Sequence, residues 1–254
     1  IESMSKEVLM NLCCLNLFMI CLVACQGSAR HNAQEVNQKS QSLAIDTVVT
    51  ATPDVCDFDV YIETSASMYG YVNGKTDFKD DIYEYLSDLN SSDLCKNLNC
   101  YYINNEIIPK DGALYDFIRN LTPSSFRNSG GSGATTDIAK VISDVLENHG
   151  GYSVSILISD FIFSPGTQNI TTIPDPSTTI KTSFKRYLKS HPESGIVFYR
   201  MKSNFSGNYY DYKDKPTRVN QDRPYYMLII GPKSTLRILT ELVPTKFSSA
   251  HYEL

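Results

Sequence analysis

"FDVYIETSAS", residues 58–67, is the stretch on which the fold turns. Its first half is a compact run of apolar and aromatic residues, the composition of a strand. The run stops at Glu63, and two hydroxyls spaced by one residue follow at Ser65 and Ser67. Three readings meet here: a catalytic serine, a metal seat, or a polar turn after a strand. The rest of the chain has to separate them.

Working outward, Phe78, Ile82, Tyr85, Leu86 and Leu89 recur at helical spacing behind a Thr76 or Asp77 cap. "CYYIN" and "EIIP", within 100–109, read as two short strands around an Asn104-Asn105 turn. "ALYDFIRNL" (113–121) is a short helix stopped by Thr122-Pro123. The glycine-rich "RNSGGSGATT" (127–136) opens the clearest helix, with Ile138, Val141, Ile142, Val145 and Leu146 on one face and Gly150 at its stop. "SVSILIS" (153–159) is a buried-type strand that ends at Asp160. A helix over 178–191, a strand over 195–201, a strand over 225–231 and a helix over 233–242 complete the pattern. Between the last two strands, 206–224 reads as a tyrosine-rich loop, either a recognition surface or a solvated insertion.

Strands alternating with helices predict an α/β fold: a doubly wound, mostly parallel sheet with helices on both faces, in three layers. Right-handed crossovers place the C-terminal ends of such strands on one edge, where ligands bind. Glu63, Ser65, Ser67, Asp160 and the loop threonines Thr135 and Thr136 all fall on that edge. Every one is an oxygen donor, and hard cations such as Mg²⁺ take about six oxygens.

In this order and on these elements, the residues resemble the von Willebrand factor A domain, whose metal-ion-dependent adhesion site has an Asp-x-Ser-x-Ser motif, a threonine on a distant loop and an aspartate after a later strand. "ETSAS" (63–67) is similar to the first motif, with Glu63 in place of aspartate. "GATTDIAKVI" (133–142) resembles the threonine loop, Thr136 being the better match. "LISDFIFSPG" (157–166) resembles the aspartate strand, with Phe161 where glycine is common. The resemblance covers roughly residues 56 to 245. It implies a Mg²⁺ ion (or Mn²⁺ or Ca²⁺) seated by Ser65, Ser67 and Thr136, with Asp160 and Glu63 in or behind the coordination shell. It also implies a protein partner that offers an acidic side chain, and binding rather than turnover. Glu63 is one methylene longer than aspartate, so it must coordinate directly, shift the metal or fold away. The same fold makes Cys56–Cys100 the first expected disulfide and Cys95–Cys100 the second.

Other chemistries fit less well. A nucleophilic serine expects a Gly-x-Ser-x-Gly elbow, which "TSASM" does not supply. None of His31, His149, His191 and His251 falls near a strand's C-terminal end to act as base. His149 follows a helix, where the dipole favours its charge. "SGGSGATT" lacks the Gly-Lys-Ser/Thr ending of a phosphate loop. A metal-assisted hydrolase using Asp160 and Glu63 would need more carboxylate or imidazole ligands than the edge offers. A metal-free scaffold that uses the same edge or the tyrosine loop is the alternative binding function.

The 254 residues carry a net charge of −5, which gives no reason to expect nucleic acid as a partner. From Val8 to Ala24 the chain is mostly apolar behind Lys6, the pattern of a signal-peptide core, or of a marginal membrane span. Leu22-Val23-Ala24-Cys25 resembles the bacterial lipobox, which favours the first reading and implies a lipidated Cys25. The expected organisation is a signal peptide over 1–24, a polar tether over 25–53 and a folded domain over 54–254. The expected address is the bacterial cell envelope, lipid-anchored and facing the periplasm. Three cysteines, Cys56, Cys95 and Cys100, then remain in the domain.

Overall fold

The computed structural model describes residues 55–131, 137–163, 175–210 and 215–242, and the backbone of a short strand at 252–253. The apolar N-terminal segment, Cys25, the tether, Thr135, Thr136 and residues 211–214 of the tyrosine stretch lie outside these residues.

Strand β1 (Cys56–Glu63) is followed by a 3₁₀ turn, Ala66–Gly70, and by helix α1 (Asp77–Asn90). Strands β2 (Cys95–Ile103) and β3 (Ile107–Lys110) form a hairpin, closed where the Asn104 amide donates to the Glu106 carbonyl. Helices α2 (Leu114–Arg119) and α3 (Pro123–Arg127) are short. Thr122-Pro123 ends one and starts the other. The Thr122 hydroxyl accepts from the Ser125 amide, Ser125 reciprocates, and proline needs no amide partner at a helix start. Helix α4 (Ile138–Asn148) leads to β4 (Val154–Ser159), and α5 (Pro176–Ser190) leads to β5 (Ser194–Tyr210). Strand β6 (Pro216–Pro232), helix α6 (Lys233–Leu242) and β7 (Tyr252–Glu253) follow.

The strands form one sheet in the order β3-β2-β1-β4-β6-β5-β7. The α/β class is as expected, but the sheet is mixed rather than mostly parallel. Only β1–β2 and β1–β4 pair parallel; β2–β3, β4–β6, β5–β6 and β5–β7 pair antiparallel. The cause lies in the stretch read as a loop. Residues 201–210 continue β5, and 216–224 begin β6, so the two strands make one hairpin of 17 residues per arm. In β5, Met201, Ser203, Phe205 and Gly207 are buried while Lys202, Asn204 and Asn208 are exposed, which is the period-two alternation of a strand. A hairpin needs no helical crossover, so β6 returns antiparallel to β4.

Each face of the sheet is covered. Phe58, Val60 and Ile62 of β1 pack with Phe78, Ile82 and Leu86 of α1 and Leu236 and Leu239 of α6. On the opposite face Tyr61 and Leu157 pack with Ile138, Val141, Ile142 and Val145 of α4 and Tyr187 of α5. Each such side chain removed from water contributes roughly 1.5–3 kcal/mol. Among the described residues no helix is long and apolar enough to cross a membrane.

The expected Cys56–Cys100 bridge is corrected by the register. Cys100 lies opposite Val60, and Cys56 lies opposite Cys95. Four residues of strand separate Cys100 from Cys56, about 13 Å, which is beyond disulfide reach. Cys95 and Cys100 are five residues apart on one strand, which excludes that pair as well. None of the three is disulfide-bonded.

Candidate functional site

The parallel strands β1 and β4 end side by side, with Ile62 registered on Ile158. Glu63 and Asp160 therefore emerge at the same edge. Both are buried, Glu63 completely and Asp160 to 7% exposure. Ser65, two residues past the end of β1, is the residue before the 3₁₀ turn, with an extended backbone, and its side chain caps no amide of that turn. Its hydroxyl instead meets the Ser67 hydroxyl at 2.9 Å, and both serines are buried. A hydroxyl pair that neither caps a helix nor faces bulk water is not ordinary turn chemistry.

Asp160 is the electrostatic centre. Burial pushes its carboxyl above the ordinary carboxylate range, while the Ile162 amide, the Ser67 hydroxyl and the Arg223 charge pull in the opposite direction. Its Oδ1 accepts from the Ile162 amide at 3.2 Å. Its Oδ2 is buried and has no hydrogen-bond partner among the described residues. An acceptor stranded in this way is costly unless a cation or donor meets it.

Glu63 is held on one side by the neighbouring strand. Its Oε2 accepts the hydroxyl of Ser159, the last residue of β4. The same Ser159 oxygen accepts the Phe161 amide at 2.8 Å. Phe161 has a φ of 54°, in the left-handed region that favours glycine. Its ring meets Phe198 and Tyr226 edge-on at 5.3 and 5.7 Å, contacts that hold the unusual backbone in place.

Arg223 lies in the stretch whose sequence reads as a loop. Because β6 runs antiparallel to β4, with Ser159 opposite Tyr226, the residues before Tyr226 overhang the site. The hairpin arm carries the Arg223 guanidinium over the rings of Tyr209, at 4.3 Å, and Phe205, at 5.5 Å. The arm also seats the 3₁₀ turn, since a Cβ on Gly207 would lie 2.7 Å from the Gly70 Cα. Beyond it, the Ser203 hydroxyl accepts from the Phe78 amide at 2.9 Å and so closes the start of α1.

A second polar cluster ties the glycine-rich loop to this edge. The Asn104 side chain donates to the Gly130 carbonyl at 2.8 Å, and the Thr64 and Ser129 hydroxyls meet at 3.0 Å. Asn104 and Ser129 belong to no sequence motif. Asn104 was legible only as a turn residue, and Ser129 only as part of a glycine-rich loop.

The structure thus brings Glu63, Ser65, Ser67 and Asp160 to one edge, and Thr135 and Thr136 lie outside the described residues. Among the described residues no three His, Cys, Asp or Glu side chains gather as a metal cluster. A cation here would rest on hydroxyls with few carboxylates. His149 lies at the other end of β4, its Nδ1 at 2.9 Å from the Ser155 hydroxyl. Burial, with His191 nearby, lowers its pKa to about 4, against the charge expected from the helix dipole. No protein family, curated protein or solved structure matches the chain.

Proposed function

We propose that this chain is a lipid-anchored, extracytoplasmic binding protein of the bacterial envelope whose folded part is a variant von Willebrand A-like domain, three-layered and doubly wound about its parallel strands. It holds a protein partner through a divalent cation rather than turning over a substrate. The observation that carries the reading is the buried, unpartnered Oδ2 of Asp160 beside the Ser65–Ser67 hydroxyl pair. That donor set fits Mg²⁺ or Mn²⁺, which take oxygens and keep several waters. Ser65, Ser67 and Asp160 would hold the ion together with Thr136, and Glu63, engaged by Ser159, would orient the serines from behind. A cation on hydroxyls with few carboxylates stays electron-poor, so it supplies a seat for an acidic side chain of the partner.

Two measurements test this reading. Addition of Mg²⁺ or Mn²⁺ should raise the melting temperature of the wild-type protein and leave Asp160→Asn unmoved. Radiolabelled palmitate should enter the protein in a bacterial host and be lost in Cys25→Ala. Absence of the thermal shift rejects the metal, and absence of label rejects the anchor.

One observation favours a metal-free binding surface as the second reading. A groove of about 550 Å³ opens beside α1 and α2, lined by the exposed Tyr83 and Tyr115 with Lys75, Lys79 and Arg119 around them. A partner held there would be indifferent to chelator.

A further inference from the structure

The three domain cysteines are not equivalent. Asp57 registers with Asn97, so an unbroken ladder would set Cys56 against Lys96. The register shifts by one residue between Cys56 and Asp57, and Cys56 stands opposite Cys95 instead. Such a bulge moves a side chain to the other face of a strand. It does so here for Cys95: Cys56 shares the face of Phe58, Val60 and Ile62 by ordinary alternation, and Cys95, out of phase with Leu98, Cys100 and Tyr102 of its own strand, packs against that same core. Adjacent strands lie about 4.8 Å apart, inside the roughly 4.4–6.8 Å Cα separation that a disulfide spans. The two side chains thus share a face and a register position.

We propose that Cys56 and Cys95 are a redox-sensitive pair that closes to a disulfide across the start of β1 and β2. Cys95 is half-buried and Cys56 buried, so exchange begins at Cys95. Its thiolate attacks one sulfur of an external disulfide, small-molecule or protein, and expels a thiolate. Cys56 then loses its proton to water and attacks the Cys95 sulfur, which expels the second thiolate. Two protein thiols are oxidised and one disulfide is reduced to two thiols. Burial and the Asp57 carboxylate both raise the Cys95 pKa, which makes the first step slow at neutral pH. Cys100, buried and held at a pKa of about 12, stays out of the exchange.

The test is incubation of the full chain with oxidised glutathione, then denaturing alkylation and peptide mapping without reduction. The expected result is a peptide pair joined through Cys56 and Cys95, with Cys100 alkylated. The melting temperature should rise by about 10 °C and return on reduction. Cys100→Ser should bridge as the wild type does. Cys56→Ser should stop at a stable glutathione adduct on Cys95. A bridge that includes Cys100, an unresolved glutathione adduct on Cys95 of the wild type, or alkylation of all three cysteines would overturn the proposal.

Discussion

The Ser159 hydroxyl donates to the carboxylate of Glu63, joining the ends of β4 and β1 across 96 positions of sequence. Both residues are completely buried. A glutamate at the head of "ETSAS" is thereby held against the neighbouring strand. Ser159→Ala should remove the donor to Glu63 and the acceptor for the Phe161 amide together. The expected loss is about 1–3 kcal/mol of unfolding free energy, read as a lower urea midpoint with an unchanged slope.

Asp160→Asn should stabilise the protein in the absence of metal. Burial raises the folded-state pKa of Asp160 above its unfolded value, so its ionisation opposes folding, increasingly as pH rises through that range. Removing the charge relieves the penalty. A higher melting temperature for the variant in chelator at neutral pH is the expected result. A lower one would mean that the carboxylate is already compensated.

His149 sets a second pH dependence with its own sign. Its folded pKa, about 4, lies below the ordinary 6.5, so the fold prefers the neutral ring. The stability it contributes is complete above about pH 6.5 and is lost as pH falls towards 4. The change should be on the order of 2 kcal/mol after allowance for partial solvation, measured as the urea midpoint between those values. His149→Gln should flatten that slope.

The Gly70–Gly207 contact makes a steric prediction. A Cβ at Gly207 would press on the Gly70 backbone, and one at Gly70 would fall 2.3 Å from the Phe205 ring. Gly207→Ala should destabilise by roughly 1–3 kcal/mol. Gly74 has a left-handed φ, 85°, but nothing within 4 Å of an added Cβ. Gly74→Ala should therefore cost only about 1 kcal/mol, from backbone strain alone. Equal losses at the two sites in urea unfolding would show that the hairpin arm does not rest on the 3₁₀ turn.

The extent to which this architecture is legible in sequence follows from the side chains involved. The helices at Phe78–Leu89 and Ile138–Leu146 announce themselves because large apolar residues mark the buried face at each turn. The antiparallel hairpin does not, because two of its buried positions, Ser203 and Gly207, are polar or small. Their alternation with Lys202, Asn204 and Asn208 carries the strand signal, but tyrosines, prolines and charges in 208–224 look like a loop. Without that hairpin the alternation of strands and helices reads as a mostly parallel sheet, whereas the sheet is mixed. At the site, Glu63, Ser65, Ser67 and Asp160 are recognisable because each lies at or within a few residues of a strand's end. Ser159 was hidden inside a strand, and Arg223 reaches the edge only through the hairpin's reversal. The cysteine register was equally hidden, since one bulged residue decides whether Cys95 or Lys96 stands against Cys56.

Isothermal titration of Mg²⁺ and Mn²⁺ into the purified protein, beside Asp160→Ala, decides whether Asp160 and the paired serines seat a divalent cation. Saturable one-site binding to the wild type and none to the variant is the expected result. No heat with the wild type and no change in its melting temperature would contradict it, and would leave the Tyr83–Tyr115 groove as the binding surface to pursue.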